Sequence, residues 1–297
     1  LWSQKMKKND SLIHYFLKRK SLIKKSLIVS FLFSIVLIAL NAIERPFIAK
    51  LYIEGVISTE SQFIDELNKI DEDSNFKGLL VIINSPGGTF VSSKEIYDSL
   101  KFLSKKIPVA VYMKEVATSG AYLASLGADK IFANVGTVTG SVGVILQTAE
   151  ITGLLDKIGI TPMIIKSGEL KAIPNPFEES DREQIDFIRD VVLEMQKEFV
   201  GLVKEEREIS PEGINIVSDG RIFTSRQAQK INLIDEIAAE KDAINWIKKK
   251  GGLDDNIEII DYADKRDLKG ILDLNFFNKL KSFDDNLLKG ILALWIP

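Results

Sequence analysis

Six residues, Gly78–Ile83 (GLLVII), carry no polar side chain and stop at Asn84-Ser85-Pro86-Gly87-Gly88. A strand that is apolar at every position, rather than at every second one, is covered on both faces. Such a strand implies helices above and below a largely parallel sheet. The rest of the chain after Pro46 has the matching rhythm. Further strands are expected at Phe47–Ile57 (broken at Gly55), Val109–Tyr112, Lys130–Ala133, Val142–Leu146 and Pro162–Ile165. Helical spacing recurs at Ser61–Ile70, Val91–Leu103, Thr118–Leu126, Ile151–Ile158, Asp181–Arg207, Thr224–Lys230 and Asp242–Lys249. Strands and helices alternating at this spacing specify an α/β domain, here residues 44–250. The Asn84–Gly88 segment is read as a tight turn that opens the next helix, and residues 251–297 as an amphipathic extension. The extension repeats LKGIL at Leu268–Leu272 and Leu288–Leu292. It forms either a helix pair on its own domain or a contact with a neighbouring subunit or membrane.

The front of the chain follows other rules. Residues 1–25 are a basic tail with eight Lys and Arg side chains against Asp10, and residues 26–43 carry no charge. The overall net charge of −3 therefore leaves −10 on the remainder, too acidic a body for nucleic-acid binding. As a helix the uncharged stretch spans roughly 27 Å, close to the ~30 Å of a bilayer's hydrocarbon core. Basic residues before it place the N-terminus in the cytoplasm and the body on the far side of the inner membrane. A cleaved signal peptide is the rival reading. It lacks an A-x-A pattern, because Leu40 stands at the small position before Ala42. A buried core helix is the third reading. An uncleaved single-pass anchor at 26–43, touching membrane lipid, is the expectation carried forward.

Composition prunes the chemistry. The chain has no Cys and one His, His14, which lies before the anchor. Disulfides, thiol nucleophiles, thiolate metal sites and a Ser-His-Asp triad in the body are all excluded, and no metal or cofactor is expected. Three turns are rich in small residues: Asn84–Gly88, Ala117-Thr118-Ser119-Gly120-Ala121-Tyr122 and Gly136–Gly143. Each follows a strand, where sheets of this class bind ligands. Ser119 at a helix start is either a cap or a nucleophile whose oxyanion meets free N–H groups. A serine nucleophile needs a base, and without His that base is a lysine kept neutral by burial. Lys171, flanked by apolar residues just past an expected strand, is one candidate. Lys166, five residues earlier, is the other, and spacing alone leaves the two open.

In order along the chain stand NSPGG (Asn84–Gly88), ATSGAY (Ala117–Tyr122), TGSVGV (Thr139–Val144), IKSGELK (Ile165–Lys171) and DGRIFTSRQA (Asp219–Ala228). Together they resemble the SppA-type signal peptide peptidases and the related SohB proteases over residues 46–250. The resemblance implies a ClpP/crotonase-like superhelix of repeated β-β-α units behind a transmembrane helix. It also implies a Ser-Lys dyad, with Ser119 as nucleophile, Lys171 as general base and Ser141 orienting the lysine. The backbone N–H groups of Gly87, Gly88 and Gly120 match the oxyanion donors, and Asp219-Gly220-Arg221 a structural signature. Implied substrates are signal-peptide remnants and other unfolded or membrane-derived peptides. The implied assembly is a homo-oligomeric ring or dome in which neighbouring subunits complete the groove.

Two functions of other classes fit parts of the pattern. A crotonase-like acyl-CoA enzyme shares the paired N–H groups, but such enzymes usually add acidic residues near the site, and an export anchor makes little sense for a CoA substrate. A catalytically silent, membrane-tethered peptide-binding scaffold would keep the shape without Ser119, Lys171 and Ser141 together.

Overall fold

The computed structural model describes residues 30–31, 45–58, 62–261 and 292–294. The chain divides into two units, Leu1–Arg45 and Pro46–Pro297. In the first, Ser30 and Phe31 are helical; the expected anchor at 26–43 otherwise lies outside the described residues. Among the described residues no helix is long and apolar enough to cross a membrane.

The second unit is built around β2 (Phe76–Thr89), whose Leu79–Ile83 are fully buried. Successive side chains alternate between the faces. Leu79, Val81 and Ile83 enter one core cluster, and Leu80 and Ile82 enter another on the opposite face. Burying five such side chains contributes roughly 1.5–3 kcal/mol each. Flanking β2 are β1 (Phe47–Ile57) and β3 (Val109–Thr118), both parallel to it. The first face is covered by α1 (Gln62–Asp71), α2 (Phe90–Ser104) and the wholly buried α3 (Gly120–Ser125).

Beyond β3 the sheet continues through β4 (Lys130–Ala133) and β5 (Val138–Gly140), each parallel to β3. Helix α4 (Thr152–Lys157) and the 25-residue α5 (Arg182–Glu206) come next. A capping box starts α5: Asp181 accepts from the Gln184 N–H at 2.8 Å, and the Gln184 side chain accepts from the Asp181 N–H at 3.3 Å. After α6 (Pro211–Val217), β6 (Ile222–Thr224) pairs antiparallel with β5. Helix α7 (Ser225–Lys230), β7 (Glu236–Ile237), α8 (Glu240–Gly251) and β8 (Glu258–Asp261) follow. Ala243 and Ile247 of α8 cover the second face of the sheet. The main strand order is β6-β5-β3-β2-β1-β8, with β4 off β3 and a final strand, β9 (Leu292–Leu294), off β2. A largely parallel α/β sheet with helices on both faces is thus the architecture.

Several expected elements differ. The Asn84–Gly88 segment is not a turn; β2 runs straight through it, because β1 stays alongside, with Val56 opposite Gly87 and Ile57 opposite Gly88. Val142–Leu146 is not a strand, and the strand of that region is β5. Pro162–Ile165 is irregular, with Met163 87% and Ile165 91% exposed, so its apolar character does not report burial within this chain. At the far end, β8 pairs with β1 beyond the expected boundary at 250. Leu292–Leu294 is extended, not helical; the first LKGIL and residues 288–291 of the second lie outside the described residues.

Candidate active site

Small residues let three segments meet at the carboxyl end of the sheet. Ser85 of β2 lies opposite Ala117 of β3, which lies opposite Thr139 of β5; one step on, Thr118 faces Gly140. Buried hydroxyls lock these rows together. Thr118 Oγ1 donates to Pro86 O at 3.1 Å, and Thr139 Oγ1 donates to Ala117 O at 2.7 Å. Asn84 Oδ1 accepts from the Val116 N–H at 3.2 Å. Glycine is required at two points by close approach. A Cβ on Gly88 would lie 1.8 Å from the carbonyl oxygen of Ile57, and one on Gly140, at φ 84°, would lie 2.5 Å from the Phe223 ring.

Ser119 sits where β3 turns into α3, 1% exposed, with φ 53° and ψ −121°. This is a sharp strand-to-helix corner that a residue with a Cβ enters only under strain. Its N–H donates to Gly140 O at 2.8 Å, and its carbonyl accepts from the Leu123 N–H at 2.9 Å. The hydroxyl makes no capping bond to α3, so the bland role of a cap is not the one it performs. Tyr122, three residues on, is fully buried and donates to Leu233 O at 2.9 Å, pinning α3; burial pushes its phenol up.

Ser141, 9% exposed and at φ 53°, is held by its N–H to Arg221 O at 2.9 Å. Arg221 pairs in turn with Asp219 at 2.5 Å, and that guanidinium lowers the Asp219 carboxyl below its ordinary range. The DGR signature therefore acts through a carbonyl that fixes Ser141. Of the oxyanion candidates, Gly87 N–H donates to the buried Ser85 Oγ at 3.1 Å. Gly88 follows in the strand, and Gly120 opens α3 beside Ser119.

Lys171 lies apart, on the irregular stretch between α4 and α5. It is exposed, its N–H bonds Gly168 O at 3.0 Å, and its successor Ala172 has φ 60°. Among the described residues, its side chain makes no hydrogen bond or ion pair, with Ser119, Ser141 or any other group. Lys166, by contrast, is mostly buried and ion-paired with Glu178. Ser119, Ser141, Gly87, Gly88 and Gly120 thus stand on adjoining segments at the carboxyl end of the sheet. Lys171 extends from an arm bearing the exposed Ile158, Ile160, Met163, Ile165 and Leu170.

Sequence reasoning passed over Ser85, Thr118 and Thr139, the hydroxyls that hold the segments in register. Each stands inside a small-residue motif already singled out, so a polar residue within such a motif was the available signal. Among the described residues no group of three His, Cys, Asp or Glu side chains could hold a metal ion.

The chain is similar to proteins named as proteases. The model of Peptidase family S49 matches residues 101–254, and the Clp protease family model matches residues 47–135. A protein of Enterococcus faecium named as a signal peptide peptidase SppA is 35% identical over 247 residues, 78% of this chain and 71% of that one. A protein of Synechocystis named as a protease is 36% identical, covering 75% of this chain and 82% of its own. Another named as a protease, from Methanocaldococcus jannaschii, is 33% identical, with 72% and 68% covered.

Proposed function

The chain belongs to peptidase family S49, with a ClpP-like α/β fold, and from that premise we propose that it is a membrane-anchored serine endopeptidase working through Ser119 and Lys171. The observation that carries this reading is where the backbone is strained. Four non-glycine residues among those described have positive φ: Ser119, Ser141, Ala172 and Asn232. Asn enters that region readily. The other three are the nucleophile, the residue that orients the base, and the neighbour of the base. Strain concentrated at reacting groups is what a preorganised site requires.

Lys171 of a second copy completes the dyad. The arm that carries it presents large apolar side chains to water, a surface suited to burial against another subunit. Docking there carries the Lys171 amine out of solvent to the Ser119 hydroxyl. Lys166 is already committed to Glu178 and is not the base.

The reaction runs as acyl transfer. A peptide lies extended along the edge of β2 at Gly87–Thr89. Lys171 Nζ takes the Ser119 hydroxyl proton as Oγ attacks the scissile carbonyl carbon. The oxyanion is held by the N–H groups of Gly88 and Gly120; Gly88 is preferred over Gly87, whose amide is engaged by Ser85. Collapse breaks the C–N bond, and the Lys171 ammonium protonates the leaving amine. Water then attacks the ester carbonyl carbon, giving its proton to Lys171; the C–Oγ bond breaks, and the Lys171 ammonium returns that proton to Ser119 Oγ. Substrates are signal-peptide remnants and other unfolded or membrane-derived peptides. Residues 26–43 hold the enzyme in the cytoplasmic membrane with its catalytic unit outside.

The test is mass spectrometry of fragments from a denatured polypeptide. Wild type yields fragments, and Ser119→Ala and Lys171→Ala yield none. Fragments from either variant, at equal folding by circular dichroism, refute the dyad.

A further inference from the structure

Two hydroxyls from different strands hold the two ends of one peptide unit in β2. Pro86 O accepts from Thr118 Oγ1 at 3.1 Å, and the Gly87 N–H of the same unit donates to Ser85 Oγ at 3.1 Å. Ser85 and Thr118 are both fully buried. The ladder between β2 and β3 is irregular at this point, since Ile83 lies opposite Met113 but Ser85 lies opposite Ala117. Side chains bridge the gap. Asn84 Oδ1 takes the Val116 N–H at 3.2 Å, and Thr118 reaches across to Pro86.

The clamped unit is the one that most needs restraint. Gly87 stands at φ 107° and is followed by a second glycine, and without a Cβ such residues rotate against little steric resistance. A turned-over Pro86–Gly87 peptide would exchange the directions of its carbonyl and N–H and re-aim the next unit, which carries the Gly88 N–H. A donor stabilises a developing oxyanion only when its direction is fixed beforehand, and a carbonyl dipole in its place repels the same charge.

We propose that Ser85 and Thr118 are positioning residues that fix the direction of the Gly88 N–H by clamping the peptide unit before it; this rests on the peptidase reading above. Neither hydroxyl takes part in making or breaking a bond. Ser85 also keeps the Gly87 N–H turned toward itself, so Gly88 alone of the pair serves the oxyanion. Thr118 immediately precedes Ser119, so its bond to Pro86 ties the corner that carries the nucleophile to the strand that carries the donor.

The experiment compares the full chain with Ser85→Ala, Thr118→Val and Thr118→Ser, at folding matched by circular dichroism. With a fluorogenic peptide, Ser85→Ala and Thr118→Val each lower kcat about tenfold or more, with KM within about twofold. The double variant loses little more than the worse single one, because both hydroxyls hold one unit. A peptide aldehyde, which adds to Ser119 Oγ and places an oxyanion in the same hole, loses affinity by the same factor as kcat. Thr118→Ser keeps the hydroxyl and recovers kcat to within about threefold of wild type. Ser85→Ala only shortens a side chain and Thr118→Val keeps its volume; should one fail to fold, the other decides. Unchanged kcat, or lowered kcat with unchanged aldehyde affinity, overturns the clamp and leaves the peptidase standing. An equal loss in Thr118→Ser overturns it too, since the hydroxyl would then not be the cause. A wild type that cleaves nothing refutes the peptidase reading and the clamp with it.

Discussion

Replacing Ser119 by glycine removes the proposed nucleophile and stabilises the protein. At φ 53° and ψ −121° a residue with a Cβ carries about 1–3 kcal/mol of strain, which glycine does not. Glycine gives back about 0.4–1 kcal/mol through the greater freedom of the unfolded chain. The hydroxyl makes no capping bond that would be missed. Alanine is the control, because it removes the hydroxyl but keeps the Cβ and the strain. Ser119→Gly is thus expected to exceed Ser119→Ala by about 1 kcal/mol, or about 2–4 °C in Tm for a unit of this size. Scanning calorimetry of the two inactive variants measures the difference directly. A Ser119→Gly protein no more stable than Ser119→Ala would show that the corner is unstrained and that the backbone argument for the nucleophile is wrong.

Other consequences are equally specific. Gly88→Ala, whose Cβ would meet the Ile57 backbone at 1.8 Å, costs at least about 3 kcal/mol in denaturant unfolding. Gly201→Ala, in the interior of α5 with nothing within 4 Å, gains about 1 kcal/mol by the same measurement. Lys166→Ala keeps peptide cleavage within a few-fold and loses about 1 kcal/mol or less, whereas Lys171→Ala abolishes cleavage without a stability change. At the β1–β8 edge, Lys50 contacts Asp261 at 2.6 Å and Glu240 at 3.2 Å, and Tyr52 donates to Asp261 at 2.7 Å. Burial alone would lower the Lys50 amine, but the bonds to Asp261 and Tyr52 and the charge of Glu240 outweigh it and hold it well above its ordinary range. Burial, with Asp261 adding to it, pushes the Tyr52 phenol up from 10.0 to about 12. Both groups are raised in the folded state, so their stabilisation is fully present below pH 10 and lost as pH climbs toward 12. Urea midpoints at rising pH fall over that window in wild type and fall less in a Lys50→Met, Tyr52→Phe variant.

How far the sequence foretells this molecule depends on what each residue is asked to report. GLLVII announces a doubly covered strand because no solvent-facing position interrupts it. Asp181 and Gln184 mark the start of α5 through a contact only three residues long. The Asn84–Gly88 segment misleads, because proline and glycine are read as a turn when they instead allow β1 to approach an extended chain. PMII misleads for another reason: apolar character states that a surface seeks cover, not whether its own chain supplies it. At the site, Lys166 differs from Lys171 by its ion pair with Glu178, a partner that no spacing rule points to. Ser119 reads equally as cap or nucleophile until its backbone angles are known.

The central claim is that Ser119 is a nucleophile activated by Lys171. Intact-mass spectrometry after treatment with a fluorophosphonate probe tests it most directly, because covalent capture needs the activated hydroxyl and no knowledge of the substrate. The account predicts one adduct per chain, mapped to Ser119 and lost in Lys171→Ala but retained in Lys166→Ala. No adduct on the wild type, or an adduct on a different serine, would contradict it.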